Sequence, residues 1–292
     1  MMKKSILLAA IVLMMALPTF GQQKADVAVS YDFNYTDFRD QPKTERMTLL
    51  ASPTESKFFN DLSLWVDSLQ STPDGKAKYR EIIMKACVTT SPEGGMAIDL
   101  TKGPTKTVYT YIFNDLPKGT MTVYDKFGQE QGFYVEPLTE MSWKIVEDSA
   151  ANVMGYECVM AESDYHGRHW KAWFTPEIPL TAGPWKLHGL PGLIMKAEAD
   201  GGFSFTATGL EKTDRVMTPM YSARDYSKVD RKKALADKEY AANNAQSVLR
   251  AKFGATVTIL PRKDENGNEI PENKYDGLLH SLEPDYKIGS TF

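Results

Sequence analysis

The sequence predicts a mainly β fold: a large, curled antiparallel sheet, half-barrel-like and meandering, with covering helices and a signal peptide at the N-terminus. Three observations carry this expectation. Val27, Val29, Tyr31, Phe33 and Tyr35 alternate with Ala28, Ser30, Asp32, Asn34 and Thr36, the period-two pattern of a half-buried strand. From Thr107 to Leu210, short alternating runs are separated by turn residues, as in an antiparallel meander. Phe, Trp and Tyr make up 11% of the chain, which suits strands, where flat rings pack on pleated surfaces.

At the N-terminus, Lys3 and Lys4, the apolar stretch Ile6 to Leu17, and then Pro18 to Gln22 match the three zones of a secretory signal peptide. The stretch is too short for a stable membrane span, which needs about 20 residues. Cleavage is expected after Gly21, with Thr19 and Gly21 as the small residues, leaving 292 − 21 = 271 residues. Loss of Lys3 and Lys4 moves the formal charge from 34 − 38 = −4 to 32 − 38 = −6. A mildly acidic chain without a basic stripe argues against nucleic acid and anionic membrane surfaces. No further long apolar run follows, so no transmembrane segment is expected in the mature chain, and its location is periplasmic or extracellular.

The mature chain divides into a β domain, residues 22–213, with short helices near 60–86, and a helical and strand extension, residues 214–292, with a polar tail. Glu45 to Ala51 reads as the antiparallel neighbour of the first strand. Asn60 or Asp61 can cap a helix carrying Leu62, Trp65, Val66 and Leu69, and Pro73 with Asp74 opens another carrying Tyr79, Ile82 and Ile83. Further strands are predicted near Thr107 to Phe113, Thr120 to Asp125, Gly132 to Glu136, Ser142 to Glu147, Gly155 to Glu162, Arg168 to Phe174, Leu193 to Ala199 and Phe203 to Leu210. A sheet this large twists and curls. Ser227 and Asp230 then make a capping pattern before an Ala-, Lys- and Arg-rich helix to Phe253, with Gly254 placed to end it. Its apolar stripe is narrow, as for a helix covering the sheet. Thr256 to Leu260 can add a strand, and Pro261 to Glu272 is polar.

The run Gly189, Leu190, Pro191, Gly192, Leu193, Ile194 joins an apolar, proline-rich approach to a strand. Pro191 and Gly192 suit the second and third positions of a type II turn over Leu190 to Leu193. Leu193, Met195, Ala197 and Ala199 then share one face. Asp200, Gly201 and Gly202 reverse the chain, and Phe203, Phe205 and Ala207 return it as a hairpin.

Around this run stands an ordered series: Trp143 and Ile145; Gly155, Tyr156 and Cys158; Gly167 and Arg168; Ala172 to Thr175; Ile178 and Pro179; Gly183, Pro184 and Trp185; Gly189 to Ile194. Through it, Ser142 to Leu210 resembles the GLPGLI family of exported Bacteroidetes proteins. The ending Lys287 to Phe292 departs from the Asn-Pro-aliphatic-Glu-Leu tail of many relatives. The resemblance implies a secreted or periplasmic location in a Gram-negative bacterium, and brings no catalytic residues. By analogy of fold alone, a curled sheet with covering helices looks like the lipoprotein-carrier half-barrels of the periplasm, which bind acyl chains.

Candidate chemistry concentrates between Asp164 and Trp173. On a strand, Arg168, Trp170, Ala172 and Phe174 share one face, opposite His169, Lys171 and Trp173. Arg168 beside Trp170 can grip an anion or stack on a ring, or it can brace the loop Thr175 to Pro191 by bonding its carbonyls. That loop concentrates Trp185, Leu187, His188 and Leu190, either a pocket lip or a plug. The ligand-binding candidates are therefore Arg168, Trp170, Trp173, Trp185 and His188. His166, His169 and His188 lack a diagnostic metal spacing, and Gly202 to Thr206 is not a nucleophile elbow. No catalytic residue, metal site or cofactor is assigned. Cys87 and Cys158 can form one disulfide or stay buried thiols. These readings favour a non-catalytic exported binding or envelope-assembly protein, carrying a hydrophobic small molecule in a cupped sheet. The alternatives are a hydrolase centred on Asp164 to Trp173 and a partner of an outer-membrane protein.

Overall fold

A computed structural model describes residues 23–90, 96–98, 102–217, 220, 225–253, 266–269 and 273–287. The expected signal peptide, the Gly254 cap and the strand at Thr256 to Leu260 lie outside the described residues.

The strands are β1 (Val27–Thr36), β2 (Pro42–Ala51), β3 (Glu55–Phe59), β4 (Val88–Thr90), β5 (Met96–Ile98), β6 (Tyr111–Asp115), β7 (Thr120–Phe127), β8 (Glu130–Pro137), β9 (Lys144–Val153), β10 (Tyr156–Tyr165), β11 (Arg168–Thr175), β12 (Leu193–Ala199), β13 (Phe203–Lys212) and β14 (Ser227–Lys228). Twelve of them form one curled sheet in the order β14-β8-β7-β6-β3-β2-β1-β13-β12-β11-β10-β9, while β4 and β5 pair separately. The order shows how the meander is modified. The first long strand, β1, pairs antiparallel with β2 on one side and with the late strand β13 on the other, Phe33 facing Phe205. Two meanders therefore meet at the centre of the sheet. At one end the two-residue β14 pairs parallel with β8 and covers its edge.

Helices α1 (Asp61–Gln70) and α2 (Pro73–Cys87) lie between β3 and β6 in the chain. Their starts follow the sequence signals. The Asn60 side chain accepts from the Ser63 N–H at 3.0 Å and donates to the Arg46 carbonyl at 2.9 Å, and Thr72 Oγ1 accepts from Gly75 at 3.1 Å ahead of Pro73. The later helix α3 (Arg231–Asn243) is capped by Asp230, whose carboxylate accepts from the Lys233 N–H at 2.9 Å. It gives way at Asn244 to α4 (Ala245–Phe253), and α5 (Gly277–His280) precedes a 3-10 turn at Pro284–Tyr286. Ser227 pairs in β14 and takes no part in capping, which corrects the paired Ser227 and Asp230 pattern.

Alternation along the strands sends two sets of side chains to opposite faces. One face packs Val29, Tyr31, Leu49, Met121, Trp170, Met195 and Phe205 into the main core, with Ala234 and Leu235 of α3. The other packs Ala28, Leu50, Phe59 and Tyr111 with Met217, Met220 and Tyr226, and Leu64 of α1 lies against them. We call the first the inner face.

Three local expectations change. Over Leu190 to Leu193 no type II turn forms: the Gly192 N–H donates to the Leu190 carbonyl at 2.8 Å, a tighter three-residue turn around Pro191. The Leu193 N–H instead reaches the Ile178 carbonyl at 3.0 Å. Gly192 is required by contact: a Cβ there would lie 2.2 Å from the Thr175 carbonyl oxygen. Cys87 and Cys158 are both free and buried. They form no disulfide, because Cys87 ends α2, which packs on α1 beside β2, while β10 stands six strands beyond β3 in the sheet. Finally, β3 has no counterpart among the predicted strands. Its Lys57 and Phe59 face outward and are nonetheless buried, Lys57 Nζ lying 4.8 Å from the Phe59 ring centre, so no polar alternation marks the strand.

Candidate functional site

The connection between β11 and β12 enters the protein. Ala182 to Leu187 are six consecutive buried residues, unusual for a connecting segment. Several of its backbone groups find partners: Gly189 N–H to Thr181 carbonyl at 3.1 Å, Ile194 N–H to Ala182 carbonyl at 3.0 Å, Trp143 Nε1 to His188 carbonyl at 2.8 Å. Tyr31 Oη, fully buried on β1, donates to the Ile194 carbonyl at 2.6 Å and ties this segment to the sheet centre. Within the buried run Trp185 has a φ of 53°, a left-handed conformation that a bulky residue adopts only when its surroundings impose it.

Beside Trp185 the inner face leaves a cavity of about 270 Å³. The sheet supplies Phe33, Met47, Phe58, Val123 and Phe205; α3 supplies Leu235 and Lys238; the C-terminal segment closes it with Tyr275 and His280 to Glu283. The aromatic side chains of the wall are ordered. Phe33 stacks on Phe205 at 4.5 Å and 11° and on Tyr35 at 4.8 Å and 23°, and Phe58 meets Phe205 edge-on at 6.0 Å. Behind the wall, Trp170 stacks on Trp185 at 5.3 Å.

Polar groups around the cavity pair with one another. Asp125, on β7, accepts from Thr110 Oγ1 at 2.9 Å and from Lys238 Nζ at 2.8 Å. Partial desolvation opposes it, but the Asp125 carboxylate raises the pKa of the Lys238 ammonium, whose side chain stays 45% exposed. Burial, with Glu45 and Asp37 nearby, pushes the Tyr35 phenol up to about 12.

Below one end of the cavity lies a buried ionic network. Lys186, with no solvent exposure, donates to Glu136 at 2.5 Å, Glu283 at 2.9 Å and Tyr134 Oη at 3.1 Å. Arg231, at the start of α3, holds Asp285 with two nitrogens at 2.9 and 2.6 Å and reaches Glu283 at 2.7 Å. Burial alone would raise the Glu283 carboxyl, but Lys186 and Arg231 reverse this and hold it at about 2. Asp285 is likewise below the usual carboxylate range: burial opposes this, but His166 and Arg231 outweigh it. Glu136, His166 and Glu283 place ligand-type atoms within 4.8 Å of one another, so they could hold a cation. Both carboxylates already carry Lys186 or Arg231 contacts, which a metal ion would have to displace.

The five residues singled out from sequence separate. Trp185 lines the cavity. Trp170 is buried behind it and Trp173 lies on the opposite face, Lys196 Nζ 4.5 Å from its ring centre. His188 staples the connection, its ring nitrogens 2.8 Å from the Lys186 carbonyl and 3.1 Å from that of Thr139. Arg168 is a brace, but for a different partner from the one expected. Its guanidinium donates to the carbonyls of Leu278 at 2.9 Å, Leu279 at 3.2 Å and Ser281 at 2.6 Å in the C-terminal segment, where Ser281 lines the cavity. Sequence reasoning missed Phe33, Phe58, Lys238 and the whole ionic network. The alternating rings at Phe33, Tyr35, Phe203 and Phe205 were the available signal for the wall, and a lysine inside Pro184-Trp185-Lys186-Leu187 was the signal for the network. At the proposed hydrolase position, His169 Nδ1 lies 2.8 Å from Asp164 on an exposed face.

Residues 134–196 match a family described as a protein of unknown function, Porph_ging. The matched segment contains Tyr134, Glu136, Trp185 and Lys186, and so includes part of the network and the entering segment. No curated protein matches the chain. A structure of PNGF-II in space group P21 is similar with a TM-score of 0.50 at 11% identity, over 75% of this chain and 34% of that one. PNGF-II in space group C2 gives 0.48 at 11% identity, over 74% and 33%. A domain named for outer membrane lipoprotein sorting, from Vibrio parahaemolyticus, gives 0.23 at 8% identity, over 68% and 90%. This chain spans about a third of PNGF-II, and at such identity the likeness shows the fold alone. Among the described residues no helix is long and apolar enough to cross a membrane.

Proposed function

We propose that this chain is an exported, non-catalytic binding protein that holds an apolar small molecule in the cavity of its curled sheet. The observation that carries the reading is the cavity itself: about 270 Å³, walled by aromatic and aliphatic side chains of strands, α3 and the C-terminal segment. Apolar cavities with few polar groups are the usual form of small-molecule sites. The entering segment serves as plug and lip together, since its Trp185 seals the core and faces the cavity. Export rests on the N-terminal signal pattern, and the resemblance to the GLPGLI family supports an envelope location. The division at residue 213 matters less for function, because Leu235, Lys238 and residues 280–283 complete walls begun by strands.

The test is thermal unfolding of the purified chain with fatty acids, phospholipids, hydrophobic peptides and small arenes. Binding of one class with 1:1 stoichiometry, lost on Val123→Phe, is the expected result. A melting temperature unmoved by every class would overturn the reading.

A further inference from the structure

The cavity's charge balance and its ring lining point to a particular chemistry of occupant. Resting on the binding reading above, we propose that the natural ligand is an uncharged, ring-bearing molecule of about two fused rings, and that charged amphiphiles such as fatty carboxylates are rejected.

Cavity size sets the first limit. An apolar cavity of about 150 Å³ accepts benzene, so about 270 Å³ suits a bicyclic molecule and is short for a long acyl chain. Charge sets the second. Lys238 and Asp125 neutralise each other at 2.8 Å. Glu283, the other carboxylate in the lining, is neutralised by Lys186 at 2.9 Å and Arg231 at 2.7 Å. Thr110 donates to Asp125 at 2.9 Å, and Ser281 Oγ accepts from the Glu283 N–H at 3.0 Å. Lys238 reaches in from the rim, its side chain 45% exposed, while Asp125 and Glu283 are buried; a ligand carboxylate that took their cations would leave a buried carboxylate unpaired, and a ligand ammonium would find both carboxylates already paired.

The rings set the remaining preference. Phe33, Tyr35 and Phe205 stack at 4.5 to 4.8 Å centre to centre, and Phe203 lies parallel to Phe33 at 6.4 Å and 13°. Phe33, stacked against both Tyr35 and Phe205, has its face covered and its edge left free, and a ring edge carries the positive part of the ring quadrupole. An aromatic ligand offers the complementary negative face. Trp185 and Tyr275 supply further aromatic surface across the cavity.

The experiment is calorimetric titration of the purified chain with naphthalene and indole, with decanoate, octylammonium and nonane in parallel, following Trp fluorescence in each. Naphthalene and indole are expected to bind 1:1, at least about tenfold tighter than the other three probes. Asp125→Asn keeps the shape, frees the Lys238 charge, and is expected to raise the affinity for decanoate relative to naphthalene by at least about tenfold. Circular dichroism establishes that the variant is folded; should Asp125→Asn unfold, Lys238→Met takes its place, with octylammonium as the probe that gains. Decanoate, octylammonium or nonane binding the unmodified chain as tightly as naphthalene would overturn this proposal and leave the binding reading standing. No decanoate gain in a folded Asp125→Asn would also overturn it. Silence from all five probes would overturn this proposal, and silence from phospholipids and hydrophobic peptides as well would overturn the binding reading.

Discussion

Replacing Gly192 with Ala tests whether the segment entering the sheet is held by close backbone approach. The added Cβ would lie 2.2 Å from the Thr175 carbonyl oxygen, 2.7 Å from its carbon and 3.1 Å from Pro176 Cα. Ordinary contact begins near 3.4 Å, so the two backbones must part by 3.4 − 2.2 = 1.2 Å. Neither side is free to move. Thr175 is fully buried and pairs with Leu193, the first residue of β12, and Leu193 is fixed by the Ile178 carbonyl. Strain of this kind in a packed interior costs about 3 kcal/mol, or roughly 6 to 12 °C in melting temperature for a chain of this size. Gly189 provides the control. Its φ is 87° but a methyl group added there would meet nothing within 4 Å, so Gly189→Ala incurs only the strain of the left-handed backbone, about 1 to 2 kcal/mol. Urea unfolding of both variants, followed by circular dichroism, decides. Equal losses, or a larger loss at Gly189, would refute close approach as the reason for Gly192.

Arg168→Met removes the donor that holds three carbonyls of the C-terminal segment beside the cavity, and is expected to cost about 2 to 3 kcal/mol. Hydrogen exchange should accelerate at residues 278–283 and leave β1 and β2 unchanged; uniform acceleration would count against a local brace. Acid should weaken the fold through Glu283, whose carboxyl is depressed from 4.5 to about 2. A depressed carboxylate contributes stability above its unfolded pKa and loses it as the pH falls through the folded value, here between about 4.5 and 2. Urea midpoints measured across that window should fall steeply, and a flat profile would contradict the ionic network. Lys186→Met leaves Glu136 and Glu283 with less positive charge, and should cost on the order of 3 to 5 kcal/mol at neutral pH while making the acid profile shallower. A Lys186→Met chain as stable as the parent would show that Lys186 is dispensable.

Local chemistry wrote the elements clearly and the site poorly. β1 and β12 coincide with their sequence expectations because each has one buried and one more open face, so alternation is visible in the residues themselves. β3 lacks that signal because both of its faces are buried, one of them through Lys57 lying on aromatic rings. A two-sided burial erases alternation. The same limit applies to the cavity. Phe33 and Phe205 meet only because β1 pairs with β13 across more than 150 residues of chain, and their partners Lys238 and Tyr275 arrive from an extension with no strand pattern of its own. Arg168 is a brace in kind, as its sequence context suggests, yet its acceptors at 278, 279 and 281 lie over 100 residues away. Nothing local could name them.

The placement of charge gives these separate features a common logic. Lys186 stands between Trp185, which lines the cavity, and Leu187, which fills the core. Its ammonium must be satisfied internally, and the acceptors come from β8 as Glu136 and Tyr134 and from the C-terminal segment as Glu283. Arg231 then joins α3 to the same carboxylates and to Asp285. A buried ion pair adds little net stability over an apolar pair, but it penalises every arrangement in which its members are separated. The network therefore specifies geometry: it fixes Trp185, α3 and residues 283–285 against one another, and these are three of the cavity's walls. A strand-built wall would need no such device, since its ladder already sets the register. Here the cations on the parts without ladders, Lys186, Arg231 and Lys238, reach carboxylates on the strands, Glu136 and Asp125, and so tie those parts to the sheet.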